Sequence, residues 1–525
     1  MDTKALRQKI LDLAIRGKLV PQNPNDEPAS VLLERIRAEK QQMVKDGKLK
    51  AKDIKNDTVI FLGDDNLHYE KFPDGTVKCI EDEIPFELPE GWEWTRLQAI
   101  CEPITDGTHK TPTYSDEGFI FLSSKNVTSG HIDWDNIMYI PESLHNELYA
   151  RLAPQKNDIL LAKNGTTGVA AIVDRDCIFD IYVSLALLRI IGYIISPEYL
   201  LSTIASSTIQ NYFNSSLKGI GVPNLHLEHI RTTLIPVAPI NEQYRIATKL
   251  EQLLSFADNI ESDKTDLQTT IQLTKSKILD LAIRGKLVPQ NPDDEPASVL
   301  LERIRAEKEE LIKQGKIKRD KKESVIFRGE DNSYYLRMGN LIETLDDWRI
   351  NDIPYSWGIC CLGEVCDYGN CTNVDTKDIP KTAWILDLED IEKDTGKVSQ
   401  KLTLKERNSA STKHSFHKGQ VLYSKLRPYL NKVVLVDDDG YCTSEILPLD
   451  FNKYILPEYA KYYLMSPTFL RYANHCSYGV KMPRLGTLDG RKAVLIVPPV
   501  NEQKRIADKV SQLFSLLDSI ADNVN

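Results

Sequence analysis

Short, turn-rich segments of the chain set cations, carboxamides, hydroxyls and aromatic rings side by side. The densest is Tyr423-Ser424-Lys425-Leu426-Arg427-Pro428-Tyr429-Leu430-Asn431-Lys432, and Lys481-Met482-Pro483-Arg484 adds a second. Earlier in the chain stand Gly107–Pro112, Ser123–Asn126, Lys163-Asn164-Gly165 and Lys218–Asn224. Ammonium and guanidinium groups anchor phosphates, while amides and hydroxyls pair with base edges. The same residue types build ordinary solvated turns, so the pattern alone leaves both readings open. The candidate contact residues are Thr108, Lys110, Thr111, Lys125, Asn126, Lys163, Asn164 and Lys218 in the first region. In the second they are Lys425, Arg427, Lys432, Lys481 and Arg484.

Bond-making chemistry finds no such footing. Gly17-Lys18 is followed by Leu19 and Gly396-Lys397 by Val398, so no phosphate-binding Gly-Lys-Ser/Thr loop is present. Val497-Pro498-Pro499-Val500 lacks the polar and aromatic ends of an adenine-clamping methyltransferase tetrad. Neither GxSxG nor HExxH occurs. His414 and His417, three apart, read as a solvated loop rather than a metal pair. Cys360, Cys361, Cys366 and Cys371 lack CxxC spacing and read as core. No catalytic residue and no metal site is expected.

The chain has 525 residues, enough for several domains, with 41% hydrophobic and 27% charged residues and a net charge of −10. Such a balance argues against nucleic-acid binding by bulk electrostatics alone. Residues 88–240 hold 10 Lys and Arg against 16 Asp and Glu, and residues 353–500 hold 19 against 17. Neither region is a basic clamp, so a partner is expected to share the phosphate contacts. The N-terminal MDTKALRQKI has no apolar signal core, and the apolar run Ile181–Ile195 is broken by Arg189 and too short for a membrane span. Nine cysteines without a disulfide framework read as reduced thiols. A cytoplasmic protein with no membrane association is expected.

The elements that must carry these loops are set by two internal repeats. Lys9–Lys40 returns at Lys277–Lys308 with 31 of 32 residues identical, a shift of 268. The stretch from Leu225 to Asp258 returns at Leu485 to Asp518, a shift of 260, anchored by Asn241-Glu242-Gln243 and Asn501-Glu502-Gln503. Carried to the chain ends, the shifts leave only Asp266, Leu267 and Gln268 without a counterpart, so the chain reads as a two-unit ring cut open inside one helix. Met1–Arg16 reads as helix ended by Gly17, and Asp26-Glu27-Pro28 opens a second, with Pro28 in its first turn. Lys48–Glu83 reads as a charged linker with one hairpin-like piece at Val59-Ile60-Phe61. A single helix is expected over Pro197–Phe213.

Asn241 is a plausible N-cap for a long helix with a heptad seam of Ile246, Leu250, Leu253, Ala257, Ile260, Lys264, Leu267, Ile271, Thr274, Ile278 and Leu281. Ile506, Val510, Leu513, Leu517 and Ile520 follow the same rule, and across the cut Leu6, Ile10 and Leu13 continue it. The fold class expected is α+β: two mixed α/β domains separated by a long antiparallel two-helix coiled coil in a circular pseudo-twofold repeat. The segments are 1–87, a helical region and linker; 88–240, the first domain; 241–352, a central region with the spacer helix; 353–500, the second domain; and 501–525, a C-terminal helix.

This pattern resembles the specificity subunits of type I restriction–modification systems over essentially the whole chain. The resemblance rests on Pro239-Ile240-Asn241-Glu242-Gln243-x-Arg245-Ile246 and Pro498–Ile506. It also rests on the strand and loop at Asp158–Gly168 and Gly419–Val433, and on Leu88–Trp92 at the start of the first domain. It implies that each domain is a target-recognition domain reading one half of a split double-stranded DNA sequence, with the helices fixing the gap. It further implies two modification (methyltransferase) subunits docked on the repeated regions and restriction (motor–nuclease) subunits for cleavage. S-adenosylmethionine, ATP and Mg would then sit on those partners and no cofactor in this chain. The competing reading is a non-catalytic coiled-coil scaffold that binds proteins and not DNA.

Overall fold

The computed structural model describes residues 2–127, 130–192, 194–217, 223–317, 324–331, 333–345, 353–407, 409–451 and 454–524. The chain divides into two compact units, Met1–Asp263 and Lys264–Asn525. The division falls within one helix, Ile240–Ile283, 44 residues long.

In the first unit the mixed domain is closed by its own ends. Glu93–Arg96 pairs antiparallel with Leu234–Val237. Between them lies an antiparallel four-stranded sheet in the order Thr105–Asp106, Leu185–Leu188, Ile159–Ala162, Ala170–Ile172. A three-stranded sheet follows, in which Phe119–Leu122 pairs parallel with Phe179–Ile181 and antiparallel with Met138–Ile140. Ile159–Ala162 and Leu185–Leu188 are buried at every position, which is why they read as unbroken apolar runs rather than alternating ones. The segment expected as one helix is two, Pro197–Ala205 and Ser207–Ser215. Ser206 breaks it: its hydroxyl donates to the Thr203 carbonyl and accepts from the Ile209 amide, capping the second helix.

The second unit repeats the plan. Gly358–Cys361 pairs with Val494–Val497. Val421–Ser424 lies between Val433–Leu435 and Ile446–Leu449. A five-stranded sheet runs in the order Asn373–Val374, Lys413–Phe416, Gly440–Thr443, Trp384–Leu386, Leu402–Thr403. His414 lies buried on one of these strands, its Nδ1 on the Ile446 carbonyl, so it is not on the solvated loop expected for it. Cys101 and Cys366 are buried at matching positions just after short helices, and burial pushes the Cys101 thiol up to about 12. All nine cysteines are free.

Lys48–Glu83 is not a linker. It forms a short helix and a three-stranded antiparallel meander of Val59–Leu62, His68–Lys71 and Val77–Cys79. The second unit has its counterpart in Ser324–Arg328, Tyr334–Met338 and Leu341–Thr344. High charge concealed the first sheet because only one face is apolar: Ile60 and Ile80 pack with Trp94 and Leu234 of the domain. Arg96 clamps it there, bonded to Glu70 (2.7 Å) and Glu83 (2.7 Å). Burial opposes ionisation of Glu70, but the Arg96 guanidinium and the Thr58 hydroxyl together hold its carboxyl below the usual range. Replacing Arg96 with Leu leaves the Glu70 carboxylate buried without a cation, with only the Thr58 hydroxyl bonded to it, and we expect a loss of about 3–5 kcal/mol. Amide exchange should show it first in residues 59–79. Because the Glu70 pKa is lowered on folding, its contribution is present above the unfolded value of 4.5 and is lost as pH falls through the folded one.

A polar lock, built twice, ties each domain to its helices. Trp92 Nε1 donates to Glu242 (3.1 Å) and Trp357 Nε1 to Glu502 (3.0 Å). Gln243 accepts from the Ser196 amide and donates to the Ala238 carbonyl; Gln503 does the same with Leu456 and Pro498. Arg245 pairs with Asp26 (2.7 Å) and Arg505 with Asp294 (2.6 Å). The repeated Asn-Glu-Gln-x-Arg motif is thus explained residue by residue. Asn241 is not the N-cap: the helix has already begun at Ile240, the Pro239 carbonyl takes the Gln243 amide, and Asn241 Nδ2 reaches Asp26 (3.4 Å). Pro28 and Pro296 stand at the N-cap, one place before the first turn expected for Pro28. Gly17 has φ of +63°, and a Cβ there would lie 2.4 Å from Pro89, so only glycine fits where helix meets domain.

Each half of the long helix packs on a terminal helix of its own unit. In the first unit, Leu6, Ile10, Leu11 and Ala14 of Thr3–Ile15 share a cluster with Ile246, Leu250 and Leu253. Arg7 pairs with Asp258 (2.8 Å), so the two run antiparallel. Ala257 is buried and Ile260 half-buried. In the second unit, Ile278 clusters with Ile506, Val510 and Phe514, with Leu513 and Leu517 at the margin. Ile271 is buried, and Leu267 and Leu281 are half-buried. Several seam positions differ from expectation: Thr274 is exposed, and Leu281 lies outside the cluster of its unit. Leu13 lies outside the cluster of the first unit, where Leu11 and Ala14 face inward instead. Ile520 is 47% exposed; two residues earlier, Asp518 has already turned the contact polar by pairing with Lys275 and Lys397.

Candidate nucleic-acid interface

In the second unit the buried strand Val421–Ser424 delivers a loop whose backbone is fixed by three hydrogen bonds. Lys425 donates its amide to the Glu445 carbonyl (3.0 Å), and its own carbonyl accepts from the Leu485 amide (3.0 Å). The Arg427 amide donates to the Pro483 carbonyl (2.7 Å), and Leu426 is bridged to Arg484. Arg427 (φ 49°) and Asn431 (φ 48°) flank the single turn Pro428–Leu430 in the left-handed region, a strained state for residues with a Cβ. The loop is thereby locked to the hairpin of Ser477–Tyr478 and Arg484–Leu485. Arg427, Tyr429, Tyr478, Val480, Lys481 and Met482 all stand exposed on these two segments. Lys425 is half-buried beside Cys371.

Not every candidate faces outward. Arg484 forks onto Glu445, with Nε and Nη2 each 3.0 Å from a carboxylate oxygen. Lys432 donates to the Leu388 carbonyl (2.6 Å), and burial pulls its ammonium below the usual lysine range. Both residues therefore brace the loop, and the direct contact expected of them is corrected to this role.

The first unit presents the equivalent construction. The Lys163 amide donates to Ser184 (2.8 Å), the Lys163 carbonyl accepts from Leu225 (2.9 Å), and Asn164 is bridged to Asn224. The Lys163 ammonium, however, is buried against Asp106, where the other unit has Cys371 near Lys425. Lys163 is thus neutralised inside the domain and is not a free phosphate anchor. Asn126 is also turned inward: it accepts from the Ser123 amide (2.9 Å) and donates to the Asp133 (3.3 Å) and Asn136 (3.1 Å) carbonyls. Thr108 is buried, with its backbone bonded to Ile181 and Val183. Lys110, Thr111 and Lys125 are exposed, Lys110 lying 3.9 Å from Glu147. Lys218 lies outside the described residues.

Asn164 and Asn224 line a cleft of about 460 Å³ with Asp106, His109 and His226. Asp106, His226 and the exposed ring of Tyr478 do not stand out in the sequence, whereas Tyr429 lies in the aromatic and cationic loop read there. Superposing the two copies at the 260 shift would have flagged Asn224, since it aligns with Arg484 directly after a proline in each. Among the described residues, no group of three or more His, Cys, Asp or Glu is placed to hold a metal ion. No helix among them is long and apolar enough to cross a membrane.

Two like domains in one chain, each closed by its own terminal strands and each bearing a loop surface at the same place, define a duplicated recognition protein. A family model described as the type I restriction modification DNA specificity domain matches residues 89–268 and again 354–524. The chain belongs to this family and carries its domain twice. The EcoAI specificity subunit of Escherichia coli is 31% identical over 431 residues, covering 70% of this chain and 63% of that protein. The EcoEI specificity subunit of Escherichia coli is 25% identical over 603 residues, covering 98% and 90%. A solved chain from work on complex assembly and conformational transition of the type I restriction–modification system matches the fold. Its TM-score is 0.50 at 18% identity, over 84% of this chain and 94% of that one.

Proposed function

We propose that this chain is the non-catalytic DNA-reading subunit of a type I restriction–modification complex, each unit reading one half of a split duplex target. The observation that carries the reading is the loop pair at Lys163/Asn224 and Lys425/Arg484, built on matching backbone bonds in two domains of a DNA specificity family. The long helix and its two terminal partners act as an antiparallel coiled-coil spacer, which the apolar seam in each unit supports. Two modification subunits dock on the two nearly identical helical regions, and restriction subunits join that assembly. S-adenosylmethionine, ATP and Mg belong to those partners, and the complex works in the cytoplasm. The net acidic first domain, with 10 Lys and Arg against 16 Asp and Glu, and the nearly balanced second, with 19 against 17, favour shared phosphate contacts with a partner over a solitary basic grip. A scaffold without DNA binding leaves the match to a DNA specificity model unexplained.

The exposed cations of the second unit supply the test. Arg427→Ala and Lys481→Ala should each weaken duplex binding by the chain in complex with its modification subunits. A phosphate contact weakens all sequences alike and lowers the salt slope by about 1, whereas a base contact costs ~1–3 kcal/mol at one position. Titration against salt with specific and random duplexes separates the two. Unchanged affinity and slope in both variants would remove this loop from the interface.

A further inference from the structure

We infer that Asn164 and Asn224 form a reader for an A·T base pair in the half-site of the first unit, an assignment that rests on the DNA reading proposed above. The two residues face each other across an antiparallel bridge, which puts their side chains side by side on one face. Both line the same cleft. Neither carboxamide oxygen is committed: among the described residues, Oδ1 of Asn164 and Oδ1 of Asn224 are buried without a hydrogen-bond partner. An unpinned carboxamide can turn either edge to a ligand. The cleft's lysine is already taken, since Asp106 holds Lys163 and also lies 3.2 Å from His109, and the carboxylate of Glu228 lines the cleft as well. A cleft whose lysine is already paired, with a carboxylate and idle amides beside it, suits the neutral edge of a base better than a phosphate.

The amide geometry selects the base. One carboxamide accepts from the adenine 6-amino group and donates to N7, and the facing amide can donate to O4 of the paired thymine. Guanine places acceptors at both N7 and O6, so a carboxamide oxygen would meet an acceptor there. In the second unit the equivalent pair is Leu426 and Arg484, with the guanidinium tied to Glu445. The two units therefore offer different chemistry at one shared place in the fold.

The test uses the full chain assembled with its modification subunits and a pool of random-sequence duplexes, with the bound fraction sequenced. The wild-type complex should enrich a split consensus with an invariant A·T pair in one half. Replacing that adenine by 7-deazaadenine, or by purine, which lacks the 6-amino group, should weaken binding by about 5- to 100-fold. Asn164→Ala and Asn224→Ala should relax that position, bind adenine and purine duplexes equally, and keep the other half of the consensus. The base-analogue arm uses the unmodified chain and so does not depend on how a variant folds. Tolerance of both analogues at every A·T position, or variants with an unchanged consensus, would overturn the inference and leave the DNA reading standing. Failure of the wild-type complex to enrich any sequence would overturn both.

Discussion

Exchanging residues 353–500 for the corresponding segment of another family member should replace one half of the bound DNA sequence and leave the other half unchanged. The cut points are good because the segment carries both strands that close the domain, Gly358–Cys361 and Val494–Val497. Part of the attachment to the remainder runs through backbone groups. Gln503 bonds to the backbone of Tyr454, Leu456 and Pro498, which any sequence provides. The Ala297 amide likewise donates to the Ser356 carbonyl (2.8 Å). The side chains that cross the cut points, and that the incoming segment should keep, are Trp357 on Glu502 (3.0 Å), Glu364 with Arg305 (3.1 Å), Tyr454 on Glu307 (2.6 Å) and Lys397 with Asp518 (2.6 Å). Specific sites exceed non-specific DNA by about 10³- to 10⁷-fold in affinity, so the exchanged half should move by a discrimination of that order. Sequencing DNA enriched by the chimaeric and parent complexes reads both halves at once. A change in both halves would show that the two units do not read independently.

Trp357→Ala should be the most damaging single substitution in the second unit. Trp357 is buried, and truncating a buried aromatic ring costs about 3–5 kcal/mol. The variant also takes from Glu502 one of its two hydrogen-bond donors, the other being Gln290. At about 2–4 °C per kcal/mol for units of this size, the melting point should fall by roughly 10 °C. Burial already pushes the Glu502 carboxyl above the usual range, and the Trp357 indole opposes that rise. Without the indole the folded-state pKa climbs further. A carboxyl raised on folding favours the fold below its unfolded value of 4.5 and withdraws that support as pH rises through the folded value. The deficit of the variant should therefore be smallest in acid and grow toward neutral pH. Thermal melts of wild type, Trp357→Ala and Trp357→Ala with Glu502→Gln across that range decide it, and a pH-independent deficit would remove Glu502 from the account.

The sequence by itself determined the duplication, the division into helical and mixed segments, and most of the buried seam. These are legible because they rest on periodicity and self-similarity, which need no knowledge of what lies opposite a residue. Ile246, Leu250, Ile278 and Ile506 announce themselves by spacing, and the Glu-Gln motifs by repetition. Where a charged side chain points is a different matter. Lys163 and Lys425 occupy the same place in two like domains, yet one is buried on Asp106 and the other lies beside Cys371. The partner comes from more than fifty residues away and is chosen by the sheet, not by the local sequence. Arg484 and Lys432 were equally ambiguous until Glu445 and the Leu388 carbonyl were brought to them. The meander at 59–79 stayed hidden because its apolar positions are few, and only packing on Trp94 and Leu234 makes them a face. Tertiary structure alone decided which polar residues remain available to a ligand, because a hydrogen bond within the fold and one to DNA draw on the same donors and acceptors.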